Sequence, residues 1–239
     1  MTTTKTASPA RRHRQRIGAR IASAAAAAKT APLATAKPYE LMCAKLDSDM
    51  RRLKQIQSVA KKIDIKRQLL PEYDAWVDGV LESGAGVQDD VLITVMIWRI
   101  DTGDFTGGLR IAEYAINHKL ALPQRYQRTL GCLIAEEIAD AGLRALAEKR
   151  LDDSNEQLRY SNALDHAAAL TADADMPDEV RAKLEKALGL VYEQLSYNDK
   201  ALGHLQRALA LNPAAGVKKD IERVNRALRN KAAPETAAA

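Results

Sequence analysis

The fold is decided by the stretch DDVLITVMIWRIDTGDFTGGLRIAEYAI, residues 89–116. Residues 91–98 form an almost uninterrupted apolar run, whose length fits either a buried strand or a buried helix. We favour a central buried helix, because the neighbouring segments have helical spacing. Asp89 and Asp90 immediately precede the run, and aspartate is a good helix-capping residue.

The segments on either side predict further helices, so the expected fold class is all-α. Pro71 suits the first turn of one such helix. Helices are also expected after the turn at 101–104, over these ranges: 105–119, 127–150, 156–170, 178–195 and 215–229. The expected domains beyond residue 70 are a helical, oligomerising core over 71–150, a tetratricopeptide-like region over 151–230 and a disordered tail over 231–239. The tetratricopeptide-like prediction rests on residues 197–213, in which the small Ala201 and Ala208 would let paired helices approach closely.

Residues 39–70 are predicted to form one long, basic, coiled-coil-like helix. Apolar residues from Tyr39 to Ile63 recur about every 3.4 positions, which produces a narrow apolar seam. Such a seam needs a partner, which is either another helix of this chain or a second subunit, and both alternatives stay open. The residues predicted to support oligomerisation are Leu46, Met50, Leu53, Ile56 and Trp98.

Positive charge is concentrated in the first quarter of the chain, although the net charge is only +5. Residues 1–67 carry 16 Lys and Arg against 4 Asp and Glu, a net +12, whereas the other 172 residues carry 20 against 27, a net −7. Lys and Arg gain affinity by displacing counterions from phosphates, so a polyanion partner is indicated for this quarter of the chain. The alternative is a basic tail that only keeps the protein in solution.

Residues 1–38 have almost no large apolar face, and we predict a flexible basic arm that orders on DNA. The side chains predicted to bind DNA are Arg11, Arg12, Arg14, Arg16, Arg20, Lys29, Arg51, Arg52, Lys54, Lys61, Lys62, Lys66 and Arg67.

Several classes of protein are excluded by the sequence. No run approaches the roughly 18 apolar residues that a membrane-spanning helix needs. The phosphate-binding pattern GxxxxGK[ST] is absent, so ATP hydrolysis by this chain is not expected. The four histidines and two cysteines lack the spacing of zinc ligands, and two cysteines indicate a reducing compartment rather than a disulfide framework.

Four acidic clusters raise the alternative of a Mg²⁺-dependent nuclease. They lie at 89–90, 101–104, 152–153 and 173–178. Such an enzyme holds Mg²⁺ with two or three convergent carboxylates, commonly with a lysine nearby. Each cluster also lies where a helix cap or turn would place acids. We therefore predict no metal site and no cofactor, except Mg²⁺ under the nuclease alternative, and the catalytic residues stay unknown.

The sequence QDDVLITVMIWRIDTGD at 88–104, with the alanine-rich helix 109–116 after it, resembles the small terminase subunit of P2-like tailed phages. The block TADADMPDEVRAKL at 171–184 resembles the same family. Shorter blocks do so at these ranges: 67–71, 76–82, 204–208 and 215–219. The similarity runs from about residue 8 to residue 229, which is nearly the whole chain.

This resemblance implies a role in packaging double-stranded phage DNA, in the cytoplasm of the infected bacterial host. Members of the family pair with a large subunit that carries the ATPase motor, and they recognise the packaging or cohesive-end site. The resemblance also implies a homo-oligomer, expected to be a ring, and no membrane partner. The family is labelled the endonuclease subunit of the terminase, and this label is the source of the nuclease alternative.

Overall fold

The computed structural model describes residues 8–28, 37–124 and 126–232. Over these ranges the regular elements are α-helices and short 3-10 turns, without a strand, which confirms the all-α prediction. None of the described helices is long and apolar enough to cross a membrane. The chain divides into two compact units, Met1–Leu130 and Gly131–Ala239.

The first unit is built from α1 Pro9–Ala27, α2 Lys37–Lys54, α3 Val59–Leu69, α4 Asp74–Ser83, α5 Asp90–Thr102 and α6 Phe105–Asn117, with a 3-10 turn at Leu70–Glu72 before α4. The second unit is built from α7 Leu130–Ala147, α8 Ser154–Leu170, α9 Asp178–Gln194, α10 Asn198–Leu211 and α11 Lys218–Ala232, with a 3-10 turn at Arg150–Asp152.

Helix α5 is the centre of the first unit, as the sequence predicts. Every residue from Val91 to Trp98 is buried. The Asp89 side chain caps the helix by accepting a hydrogen bond from the Leu92 amide at 2.9 Å. Helix α6 follows after Gly103, whose left-handed conformation ends α5. The apolar run is therefore a core helix and not a strand.

The second unit contains a tightly packed helix pair, α9 and α10. Ala201 and Ala208 of α10 are fully buried, and their small side chains allow α9 to approach closely. A β-carbon added at Gly189 of α9 would lie 2.6 Å from the Leu205 side chain, which shows how closely the two helices approach. This agrees with the close approach expected for Ala201 and Ala208, while the tetratricopeptide-like assignment itself stays a prediction.

The predicted flexible basic arm over 1–38 is wrong for the described residues 8–28, which form the packed helix α1. Ser8 caps α1 by accepting a hydrogen bond from the Arg11 amide at 3.4 Å, and Pro9 occupies the first turn. The helix buries Ala19, Ala22 and Ser23 against α4 rather than large apolar residues. A search for a large apolar face could not detect this contact.

The predicted single helix over 39–70 is also wrong, because the structure contains two helices. Helix α2 ends at Lys54, and α3 begins at Val59. Ser58 starts the second helix, since its side-chain oxygen accepts a hydrogen bond from the Lys61 amide at 3.3 Å. A serine side chain that caps a new helix competes with continuation of the old one.

The predicted oligomer seam is largely the interior of the first unit. Leu46, Leu53 and Trp98 are buried within the chain itself, so their apolar surface is already covered. Met50 and Ile56 are half-buried. The alternative in which the seam packs on its own domain therefore holds for the three buried residues.

The boundary between the two units differs from the one expected at residue 150. Helix α7 packs with later parts of the chain, because a β-carbon at Gly131 would lie 2.5 Å from the Ala174 Cβ in the α8–α9 connection, and one at Gly142 would lie 3.3 Å from Leu164 of α8. The chain consequently divides after Leu130. The predicted disordered tail lies outside the described residues from 233 onward, and its first two residues belong to α11.

Candidate nucleic-acid interface

Helix α1 is held against α4 by a contact between small residues. A β-carbon added at Gly79 of α4 would lie 2.3 Å from the Arg16 carbonyl oxygen and 2.7 Å from the Ala19 Cβ. The backbone of α1 therefore crosses α4 where α4 has no side chain. This close crossing leaves the long side chains of α1 on its outer faces.

One outer face of α1 turns toward the acidic residues of α4. Arg16 forms a two-point ion pair with Glu82, in which Nε donates to Oε2 at 2.9 Å. Arg12 and Arg16 also line a small depression with Asp78. These two arginines are part of the attachment of α1, and Arg16 in particular is neutralised.

The other outer face of α1 borders a groove of about 820 Å³ shared with α2. Its polar lining comprises Arg11, Arg14, Gln15, Lys37, Lys45, Ser48, Asp49, Arg52 and Glu72, and its apolar lining comprises Pro38, Leu41, Met42, Leu69 and Trp76. Five basic residues therefore face two acidic ones.

The two acids of the groove both pair with Lys45. Its Nζ lies 2.6 Å from Asp49 Oδ2 and 3.4 Å from Glu72 Oε2, and it also lies over the Tyr73 ring. The other four basic residues are Arg11, Arg14, Lys37 and Arg52, and over the described part of the chain none of these four side chains forms an ion pair. The groove thus carries four basic side chains without an ion-pair partner and a net charge of +3.

A second group of predicted DNA-binding residues lies where α2 ends and α3 begins. Arg51, Lys54 and Lys61 are exposed, and Lys62 is half-buried. Within the described ranges these four side chains also form no ion pair. Basic residues in the last turn of α2 interact favourably with the carboxyl end of the helix dipole, which explains part of their placement without a ligand.

Three of the remaining predicted DNA-binding residues have other surroundings. Lys66 is ion-paired with Asp101. Arg67 contacts Asp64 at 3.1 Å and donates to the Thr102 carbonyl oxygen at 3.3 Å. Arg20 is exposed on α1, and Lys29 lies outside the described residues.

Sequence reasoning missed Lys37 as a groove residue, although a signal was present. Residues 37, 41, 45, 48 and 52 all line the groove, and their spacings of 4, 4, 3 and 4 place them on one face of α2. Reading α2 by its basic face as well as its apolar seam would have grouped Lys37 with Arg52.

The acidic clusters mostly serve as helix caps and ion-pair partners. Asp104 caps α6 by accepting from the Gly107 amide at 3.0 Å and pairs with Arg99. Asp153 caps α8. Within the described ranges, no group of three or more His, Cys, Asp or Glu side chains is arranged to hold a metal ion.

Asp89 is the most unusual of these acids, because its side chain is fully buried. In addition to capping α5, it accepts a hydrogen bond from the Trp76 indole nitrogen at 2.9 Å. Burial raises the pKa of Asp89 to about 6, against the opposing effect of these hydrogen bonds. Both carboxylate oxygens are occupied inside the core, so Asp89 is a structural residue.

Comparison with known proteins agrees with the resemblance found in the sequence. A curated relative from Escherichia phage P2, "Terminase, endonuclease subunit", is 47% identical over 232 residues, covering 97% of this chain and 90% of the relative. A second, from Haemophilus phage HP1 (strain HP1c1), "Probable terminase, endonuclease subunit", is 32% identical over 101 residues, covering 42% of this chain and 36% of the relative. No solved structure matches the chain significantly. The family described as phage small terminase subunit matches residues 43–179. The chain therefore belongs to the phage small terminase subunit family.

Proposed function

We propose that this protein is the DNA-recognition subunit of a phage terminase, working in the cytoplasm of the infected bacterial host. It binds double-stranded phage DNA at the packaging or cohesive-end site and brings the large ATPase subunit to that site. The observation that carries the proposal is the groove between α1 and α2, with four basic side chains that form no ion pair and a net charge of +3. The family membership supports the packaging role.

The expected mode of binding follows from the chemistry of the groove. Lys and Arg contacts to phosphates provide position and most of the affinity, and they act on any sequence. Arg11 and Arg14 lie one helical turn apart on α1, so both can face the same backbone. Base readout would additionally require the outer face of α1 to enter the major groove of DNA.

The test is a binding titration with the full chain and labelled DNA at several salt concentrations. Arg11→Gln/Arg14→Gln should make the negative slope of log K (association) against log salt shallower by about 2. The double variant should also weaken binding roughly tenfold or more near 0.1 M salt. The matched control, Arg110→Gln/Lys119→Asn, removes two exposed charges of the same unit that do not line the groove. Equal effects of both double variants would contradict the proposed site.

Self-association is a second element of this proposal. Val59 is 65% exposed at the start of α3, close in sequence to the half-buried Met50 and Ile56. We expect these residues to join copies of the chain, and Val59→Glu should shift the full-length protein toward monomer in light scattering. An unchanged mass would place the contact elsewhere.

The second unit is proposed to receive the large ATPase subunit. Leu158 and Tyr197 are large apolar side chains that are more than half exposed there, and such residues favour protein contacts. Leu158→Asp should weaken capture of the purified large subunit while leaving DNA binding unchanged. Loss of DNA binding alone would contradict this assignment.

The endonuclease alternative is favoured by the names of both curated relatives. Glu136 and Asp140, one turn apart on α7, flank Lys183, whose Nζ lies 3.2 Å and 3.1 Å from their carboxylates. Two carboxylates near a lysine are the minimum expected for a Mg²⁺ nuclease, and here both carboxylates are ion-paired with that lysine. Cleavage of DNA by the pure chain with Mg²⁺, abolished by EDTA and by Asp140→Asn, would establish this alternative.

A further inference from the structure

Helix α11 carries a concentration of positive charge within an otherwise acidic unit. Residues 131–217 contain 9 Lys and Arg against 15 Asp and Glu, whereas α11 contains 6 against 2. The net −7 of residues 68–239 therefore conceals a basic helix near the carboxyl end of the chain.

The packing of α11 against its own unit determines which face of the helix is exposed to solvent. Val217, just before the helix, and Val224 within it are fully buried. Arg223 is fixed beside the acidic surface, with Nε 2.5 Å and Nη2 2.6 Å from the two carboxylate oxygens of Glu193, and with Asp220 2.7 Å away. Arg223 is therefore neutralised and anchors the helix.

Four other basic residues of α11 lie on the face opposite the buried Val224. Lys218, Lys219, Arg226 and Arg229 are exposed, and over the described ranges they form no ion pair. At 3.6 residues per turn, these four positions fall within an arc of about 100° and extend over about 16 Å. We name them the α11 basic row; Glu222 lies among them and leaves a net charge of +3.

The chemistry of this face selects nucleic acid over protein as its partner. The large apolar side chains exposed in the described part of the chain are Ile21, Leu41, Val59, Leu158 and Tyr197, and none of them lies on α11. The core of a protein interface is depleted in charge and enriched in aromatic residues, which is the opposite of this face. A row of unpaired Lys and Arg is what phosphate contacts require.

We propose that the α11 basic row is a second contact surface for the DNA backbone, separate from the groove between α1 and α2. The identity of the ligand rests on the proposed function, but the surface belongs to the other unit. A chain that contacts DNA through both units makes more phosphate contacts than the groove alone provides. The additional contacts raise the affinity and make it more sensitive to salt.

The experiment compares full-length variants in salt-dependent titrations with double-stranded DNA of about 40 base pairs. Arg226→Gln/Arg229→Gln should make the negative slope of log K (association) against log salt shallower by about 2. The double variant should also weaken binding roughly tenfold or more near 0.1 M salt. Glutamine keeps helix propensity close to that of arginine, so α11 should stay folded, and circular dichroism checks this. The matched control, Arg144→Gln/Lys149→Asn, removes two exposed charges of the same unit outside α11 and should leave the slope unchanged.

The outcomes separate this inference from the proposed function. If Arg11→Gln/Arg14→Gln weakens binding while the α11 variant and its control bind like the unmodified protein, the second surface is refuted and the first stands. If the α11 variant binds DNA normally but no longer captures the large subunit, the row is a protein contact and the inference is overturned. If the unmodified chain does not bind DNA, the proposed function itself fails.

Discussion

Helices α1 and α5 both contact α4, yet they are held in place by opposite kinds of side chain. Helix α5 buries nine residues, most of them large and apolar. Helix α1 buries only Ala19, Ala22 and Ser23, and its closest approach occurs where Gly79 has no side chain. The packing of α5 thus depends on large buried apolar side chains. The packing of α1 depends instead on the missing side chain at Gly79.

The largest effect is expected from removing volume under α5. Leu92 is fully buried, and Leu92→Ala should lower the free energy of unfolding by about 2–5 kcal/mol, because it removes buried apolar surface and leaves a cavity. Denaturant titration of the full chain measures this. The same substitution at Leu41, which is 72% exposed, should change stability by less than about 0.5 kcal/mol. Equal losses at the two positions would refute the central role of α5.

A somewhat smaller effect on the free energy of unfolding is expected from the titration of Asp89, which caps α5. Burial raises the folded-state pKa of Asp89 to about 6, above its usual value of 3.8. The folded protein therefore binds this proton more tightly than the unfolded chain. The resulting stabilisation is complete below about pH 4 and is lost as the pH rises through 6, a change of about 3 kcal/mol.

Asp89→Asn tests this dependence, because the amide stays neutral throughout. The unfolding free energy of the variant minus that of the unmodified protein should become more positive by about 3 kcal/mol between pH 3 and pH 7. Parallel pH profiles for the unmodified protein and Asp89→Asn would show that Asp89 titrates normally.

The smallest effect on stability is expected where α1 crosses α4, but it should be accompanied by loss of DNA binding. Gly79→Ala places a methyl group 2.3 Å from the Arg16 carbonyl oxygen, so α1 has to move. We expect a loss of roughly 1–3 kcal/mol, faster hydrogen exchange across α1 and weaker DNA binding. Gly203→Ala in α10, where the nearest atom would be 3.8 Å away, should instead stabilise by about 0.5–1 kcal/mol. Unchanged exchange in Gly79→Ala would show that α1 does not rest on Gly79.

The contrast between α1 and α5 also explains what the sequence could and could not predict. The apolar run at 91–98 and its aspartate cap determine α5 locally, so its position and burial were predictable. The seat of α1 depends on a glycine some 60 residues later in the chain, and no local pattern in an alanine-rich helix points to it. Ser58 is a good helix-capping residue and could have predicted the start of α3. The apolar spacing continues through this position, however, and indicated a single helix.

The candidate site was predictable only in its composition. Charge counting identified Arg11, Arg14 and Arg52, which the fold brings to one groove. The same counting could not tell that Arg16 and Lys66 are neutralised, because Glu82 and Asp101 are distant in sequence. Counting charge over residues 68–239 also combined the basic residues of α11 with the acids of the preceding helices, so the positive charge of α11 was not detected. Net charge over a long segment therefore says little about the charge of one helix face.

The small footprint of α1 on α4 has a consequence for how related phages diverge. Only 3 of its 19 residues are buried, so most substitutions on α1 leave the interior of the first unit undisturbed. The exposed side chains of α1, which are proposed to face DNA, can thus be replaced while the packing around α5 is preserved. Under the proposed function, preference for a new packaging site would require changes in one peripheral helix only, without any compensating change in the core.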